Sequence, residues 1–424
     1  MQNTFKTRRL KGAWINTILF ICHAFVFITF VKLGFEVVDT VKPMPTSDFI
    51  YYWNLAGDLS IYHKGGIIGF IYAPFKAMGI EPYWSALIVN TFFYTLVFIA
   101  SWLGFKKYRS PFAVIGQLLL TFGLAMFGLW NAGYAGMVNA DFPNVALLIA
   151  ATRGFSLYGV KRDKLWLILG GIALFLAVAL RVKTGLALGI IVLMILIFHF
   201  KSIKKPTAVR WIVLVICISV GFAAVSEVML RRQSDRQEDV ARQGRLQLYT
   251  GILDTSTGPM CGRWTRESFN KTLEELDLPL LEVIDKHLSV KSKQYLLEIV
   301  QCKLTAVLNY DEFSYRELLA FGVKHRNYTE EDLDLVRHYE KLEEKWVNWF
   351  KIITYLMILT TLVLWRKLRI PMAITPFAIY FAFMALHSIF EIQARYMVEP
   401  LMWSFFTAVL LIFEVSLKQV KTSD

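Results

Sequence analysis

Cysteine is scarce in this chain, with four in 424 residues. Cys22 and Cys217 fall inside apolar runs, where a thiol packs as a small hydrophobe. Cys261 and Cys302 share the one long polar segment, and a disulfide between them is open to an oxidising compartment. Signatures of common soluble enzymes are missing too: there is no Walker-type glycine loop, Gly-x-Ser-x-Gly elbow, His-Glu-x-x-His or Cys-x-x-Cys. Soluble-nucleotide chemistry and zinc hydrolysis lose their support. Tandem repeats, low-complexity tracts and long disordered linkers are also absent. The apolar runs hold few charges, which weighs against an ion-coupled transporter.

What the chain does have is apolar length. It is 56% hydrophobic and 15% aromatic, with a mean hydropathy of +0.47, values that fit an all-helical polytopic membrane protein. Ten runs approach the length needed to cross about 30 Å of hydrocarbon: 14–35, 83–104, 111–129, 142–158, 165–181, 184–200, 211–228, 349–365, 370–388 and 396–415. The first is too long for a signal peptide and is followed by no small-residue cleavage site, so it is expected to remain.

A formal net charge of +13 can mark a nucleic-acid partner, but its placement argues against one. Lys6, Arg8, Arg9 and Lys11, then Lys106, Lys107 and Arg109, then Lys161, Arg162 and Lys164 occupy alternate connections, and Lys201 to Arg210, Arg366 to Arg369 and Lys418 to Lys421 continue the alternation. This positive-inside pattern predicts ten spans with both termini cytoplasmic, and the Lys-rich, compact chain reads as bacterial, which makes a plasma membrane the expected location. It divides the chain into a membrane module over 1–228, an extracytoplasmic and mostly helical domain over 229–348, and a second membrane module over 349–424.

Residues 46–80 read as two juxtamembrane helices, because the stretch is aromatic but broken by glycine and proline. In 229–348, Leu333, Val336, Tyr339, Leu342 and Trp346 recur at helical spacing and predict a helix leading into the eighth span.

Candidate chemistry gathers in the extracytoplasmic connections. Asp48 follows the first span closely and suits either a general base or a helix cap. Lys64, beside Tyr62 and His63, is placed to neutralise a phosphate or to anchor at the interface. Asp141, with Pro143 behind it, caps the fourth span or supplies a second acid. Arg181 and Lys183 stand against the positive-inside trend, so they call for an anionic partner. Glu391 and Arg395 are four apart and can pair on one helical face.

Asp48, "YHKGG" at 62–66, Asp141, "KTG" at 183–185 and "EIQARY" at 391–396 occur in an order and on a side that resemble the GT-C superfamily of polyprenol-dependent membrane glycosyltransferases. The branch in question contains the protein O-mannosyltransferases and the aminoarabinose transferase of lipid A. The resemblance implies a polyprenyl-phosphate sugar as donor and a glycan, lipid or protein as acceptor, in cell-surface glycan modification. It implies Asp48 as the catalytic base, with Lys64, Lys183, Arg395, Tyr62 and His63 around the donor phosphate, and Asp141, Glu391 and Tyr396 in support. Two departures stand out. Glycines replace the family's two prolines after Lys64, and the first loop lacks the family's paired acids, so a divalent metal stays open as a cofactor without support from a paired-acid motif. The alternatives are a polymerase or ligase of the O-antigen type using a pyrophosphate-linked glycan, and a non-enzymatic flippase.

Overall fold

The structure, a computed structural model, describes residues 2–44, 48–57, 67–102, 111–161, 163–199, 246–253, 262, 265–275, 277–309, 314–319, 328–368, 371–390 and 395–422. Among the described residues every regular element is helical and there is no strand. The chain begins with α1 (Gln2–Val41), α2 (Asp48–Leu55), α3 (Ile67–Ala77), α4 (Pro82–Trp102) and α5 (Pro111–Tyr134). There follow α6 (Asp141–Lys161), α7 (Lys164–Leu180) and α8 (Val182–His199). A π-helical turn at Tyr249–Leu253 precedes α9 (Arg266–Glu274), α10 (Leu280–Leu288), α11 (Lys293–Asn309) and a short turn at Tyr315–Glu317. The last elements are α12 (Glu330–Leu368), a 3-10 turn at Pro371–Ile374, α13 (Thr375–Ile389) and α14 (Arg395–Thr422).

Five stretches among the described residues are long and apolar enough to cross a membrane: Trp14–Val41, Pro82–Trp102, Phe112–Tyr134, Leu333–Arg366 and Tyr396–Phe413. Of the other expected spans, α7 and α13 are apolar but have only 17 and 15 residues, and in α8 the apolar part is Lys183–Ile195. Helix α6 carries Asp141, Arg153 and Lys161 along its length. The expected span 211–228 lies outside the described residues.

Large apolar side chains face outward on these helices, including Ile18, Ile21, Phe25 and Ile28 of α1, Phe92 of α4, and Leu356, Leu359 and Val363 of α12. A water-soluble bundle would bury such faces; helices bordering lipid leave them outward. Helix α14 is the hub. Its apolar stretch is 89% buried, against 17% for that of α1, and α5, α6, α12 and α13 all pack on it.

Close approach is built from small residues. A Cβ on Gly154 would lie 2.8 Å from the Cα of Gly170, so α6 and α7 cross backbone to backbone, as small residues permit where lipid gives helices no hydrophobic reason to associate. Helix α1 ends at Lys42, which adopts φ 44° and donates its N–H to the Val38 carbonyl at 2.8 Å; this left-handed residue turns the chain back over the bundle. Two helices, α2 and α3, occupy the described part of residues 46–80, as expected. Lys76 of α3 donates to the Trp53 carbonyl at 2.9 Å, placing a cation where the carbonyls of α2 end.

The helix expected to lead into 349–365 forms one continuous element with it. Helix α12 has 39 residues, about 58 Å at 1.5 Å per residue, which exceeds any bilayer core. Val336 is buried and Leu333 and Tyr339 pack beside it, as the spacing predicted, while Trp346 faces outward. The buried carboxylate of Glu343 accepts the N–H groups of Ser314 at 2.9 Å and Tyr315 at 3.3 Å, docking the Tyr315–Glu317 turn on α12.

Candidate functional site

The break between α7 and α8 creates the site. Arg181 is extended, with φ −141° and ψ 109°, and interrupts an otherwise continuous apolar helical run. Its N–H still bonds the Ala177 carbonyl at 3.1 Å, and its own carbonyl accepts from Thr184 N–H at 3.0 Å. The one-residue break turns Arg181 and Lys183 toward α6 and α14.

Asp141 opens α6 beside a cap. The cap is Asn139, whose Oδ1 accepts the Phe142 N–H at 2.9 Å, and the Asp141 carboxylate turns to Arg181, with which it pairs through Oδ2. Lys183 Nζ lies 3.8 Å from the other Asp141 oxygen and 2.9 Å from Glu399 Oε2. The remaining Glu399 oxygen accepts from the Asn144 amide and from the Thr184 hydroxyl, the latter at 3.0 Å. Two cations and two carboxylates thus share one site, with no net charge among the four.

Aromatic rings frame these charges. The Tyr396 ring centroid lies 4.3 Å from Lys183 Nζ and stacks on His387 of α13 at 5.0 Å and 15°. Tyr52 of α2 lies 5.8 Å from the Arg181 guanidinium, so the helix that Asp48 opens runs against the cluster one turn from its start. Tyr396 and Glu399 are three apart on α14 and share a face. Pro400, inside that helix, lacks the N–H that would bond the Tyr396 carbonyl and so loosens the backbone at the site.

Accessibility separates the four charges. The Arg181 and Asp141 side chains are each 9% exposed and Glu399 only 1%, whereas Lys183 is 21% exposed. The first pair forms a scaffold; Lys183 is the cation within reach of a ligand.

Of the residues read from the sequence, Asp141, Lys183 and Tyr396 come together, and Arg181 joins them. Tyr62, His63, Lys64 and Glu391 lie outside the described residues, as do the side chains of Asp48 and Arg395. Asp48 is the first residue of α2 and Arg395 the first of α14. Sequence reasoning missed Glu399, Asn144, Thr184 and His387. A signal existed for Glu399: it is a carboxylate inside the apolar run of α14, four residues past Arg395, and acids in such runs are functional candidates by default.

Among the described residues no three His, Cys, Asp or Glu side chains gather as metal ligands. Cys302 is disulfide-bonded and Cys22 is free; Cys261 lies outside the described residues. Comparison of the chain with protein-family models, curated proteins and solved structures finds no match.

Proposed function

We propose that this chain is a membrane glycosyltransferase that moves a sugar from a polyprenyl-phosphate donor to an acceptor hydroxyl on the extracytoplasmic face, with inversion. In this reading the chain has ten spans with both termini cytoplasmic, and the site opens to the outer surface of a plasma membrane. The observation that carries it is the buried four-charge cluster of Asp141, Arg181, Lys183 and Glu399 lying against the helix that Asp48 begins.

The chemistry follows from that arrangement. A lipid phosphate diester carries one negative charge and meets a cluster that is neutral as it stands, so it binds by exchanging partners with Lys183, the most accessible of the four. Asp141 keeps Arg181 in place during the exchange, and Glu399, held by Asn144 and Thr184, keeps Lys183 from swinging away. Asp48 takes the proton of the acceptor hydroxyl as its oxygen attacks the anomeric carbon. The bond to the phosphate oxygen breaks, and the charge on the departing polyprenyl phosphate is met by Lys183, with Arg395 and Lys64 as the further cations of this reading. Such a leaving group needs no strong acid.

The test is transfer of labelled sugar from a panel of polyprenyl-phosphate sugars by purified protein in lipid, comparing wild type with Asp48→Asn and Lys183→Met. Transfer that both variants abolish while the fold survives supports the reading. If no monophosphate donor is consumed and a pyrophosphate-linked glycan is, the protein is a polymerase or ligase.

A further inference from the structure

Helix α11 (Lys293–Asn309) carries an apolar stripe that the bundle does not use. Leu297, Val300, Leu304 and Leu308 recur in steps of three, four and four residues, which keeps them on one edge of a helix. Leu297 is 69% exposed and Leu308 45%. The bundle side of the same helix is taken by Ile299, Lys303 and Val307, all buried, while Gln294, Glu298, Gln301 and Thr305 form a separate exposed polar edge.

Two contacts fix the level of this helix. Lys303 Nζ donates to the carbonyls of Ser388, Ile389 and Phe390 at 3.2, 3.4 and 3.0 Å, which sets α11 across the end of α13. Five residues on, the Leu308 carbonyl accepts from Lys351 of α12 at 3.5 Å. Lys351 stands where the charged half of α12 gives way to its apolar half, beside the outward-facing Trp346 and Trp349, and tryptophans in that position mark a membrane–water interface. The two anchors hold α11 between the end of α13 and this point of α12. Trp349 and Ile352, on either side of Lys351, are themselves outward-facing apolar side chains of α12. At the start of α11, Lys291 sits 4.8 Å over the Tyr295 ring and Lys293 is exposed, a grouping suited to phosphate headgroups.

We propose that α11 is an interfacial helix whose Leu297, Val300, Leu304 and Leu308 stripe seats on the acyl chains of the adjoining leaflet, with Lys291, Lys293 and Tyr295 among the headgroups. The inference does not depend on the glycosyl-transfer reading. Its test is collision accessibility in nanodiscs of mixed zwitterionic and anionic phospholipid. A nitroxide is attached through a ketone-bearing residue, which leaves the Cys302 disulfide alone, at 297, 304 and 308 and, for contrast, at 294, 298 and 301. The stripe positions should favour oxygen over a water-soluble nickel chelate severalfold more than the polar positions do. Equal accessibility to nickel at all six overturns the proposal. So does shielding of the stripe from both agents, which means that a protein or a second copy covers it. On the unaltered chain, a phospholipid with a diazirine in its acyl chain should crosslink within 297–308, and its failure to do so overturns the proposal as well.

Discussion

Two of the polar clusters buried in this bundle are built differently. The charged one joins Asp141, Arg181, Lys183 and Glu399. The other joins His23 of α1 to Thr121 of α5 at 2.9 Å and to Ser101 of α4 at 3.0 Å, with the imidazole stacked on Phe98 at 5.0 Å. Ser101 and Thr121 also lie within hydrogen-bond reach of carbonyls one turn back, at 2.7 and 2.8 Å; a neutral imidazole donates to one hydroxyl and accepts from the other, so the hydroxyl that receives the ring N–H is the one that donates to its own helix. Three helices can therefore be pinned by neutral groups of short reach. Four charges in the same bundle carry a desolvation penalty that well-packed apolar residues would avoid, so stability alone does not account for them. That difference is why the charged cluster, and not the neutral one, is the candidate site.

The largest effect that can break this comparison comes from Asp141→Ala. It leaves Arg181 buried without that carboxylate, and breaking a buried pair in this way costs about 3–5 kcal/mol. Thermal unfolding in nanodiscs should show a large loss of stability. Replacing both partners, Asp141→Leu with Arg181→Met, should recover most of it and leave transfer dead. A fully stable single variant means that the pair is not the scaffold.

Next come Lys183→Met and Glu399→Gln. Removing one preorganised group that meets developing charge costs roughly 10²–10³ in rate, and Lys183 is the least buried of the four, so the lysine change should lower transfer far more than stability. His23→Ala should do the reverse. It deletes neutral hydrogen bonds and leaves Thr121 and Ser101 without the ring, at about 1–3 kcal/mol, with transfer per folded molecule unchanged. A loss of transfer in His23→Ala would erase the distinction between the two clusters.

Local pattern made three of the four charges legible. Arg181 and Lys183 stand out because they oppose the charge bias of the other connections, and Asp141 because an acid precedes an apolar run. The need for an anionic partner was readable; its identity was not. Glu399 lies 215 residues from Thr184 and 255 from Asn144, and no spacing rule joins residues that meet only through the packing of α6, α8 and α14. His387 was hidden for the same reason, since its partner is the Tyr396 ring across the α13 to α14 connection. Helix periodicity, by contrast, is a property of neighbours. It therefore foretold the run of α12 into the apolar stretch, while the broken aromatic composition of 46–80 foretold two short helices there; five described stretches reach spanning length, and short apolar helices such as α7 and α13 stand at its edge.

The smallest expected effect supplies a solvent-side control. Between α9 and α10, Glu275 accepts from Lys286 Nζ at 2.6 Å and from His287 Nε2 at 2.7 Å. Burial alone would push its carboxyl up, but the two hydrogen bonds and the charges of His287 and Lys286 outweigh burial and hold it below the ordinary carboxylate range. A carboxyl depressed on folding contributes stability that is complete above the unfolded value of about 4.3 and is lost as pH falls through the lower, folded one. Hydrogen exchange of the α9 and α10 amides, corrected for intrinsic rate, should therefore lose protection as pH drops below about 4.3, and Glu275→Gln should flatten that loss. Lys286 is 56% exposed, so added salt should screen this pair and shrink the effect, whereas the pair of Asp141 and Arg181, at 9% each, should feel salt far less. Equal salt sensitivity in the two pairs would mean that water reaches Arg181 freely, and the contrast between a dry scaffold and an accessible Lys183 would collapse.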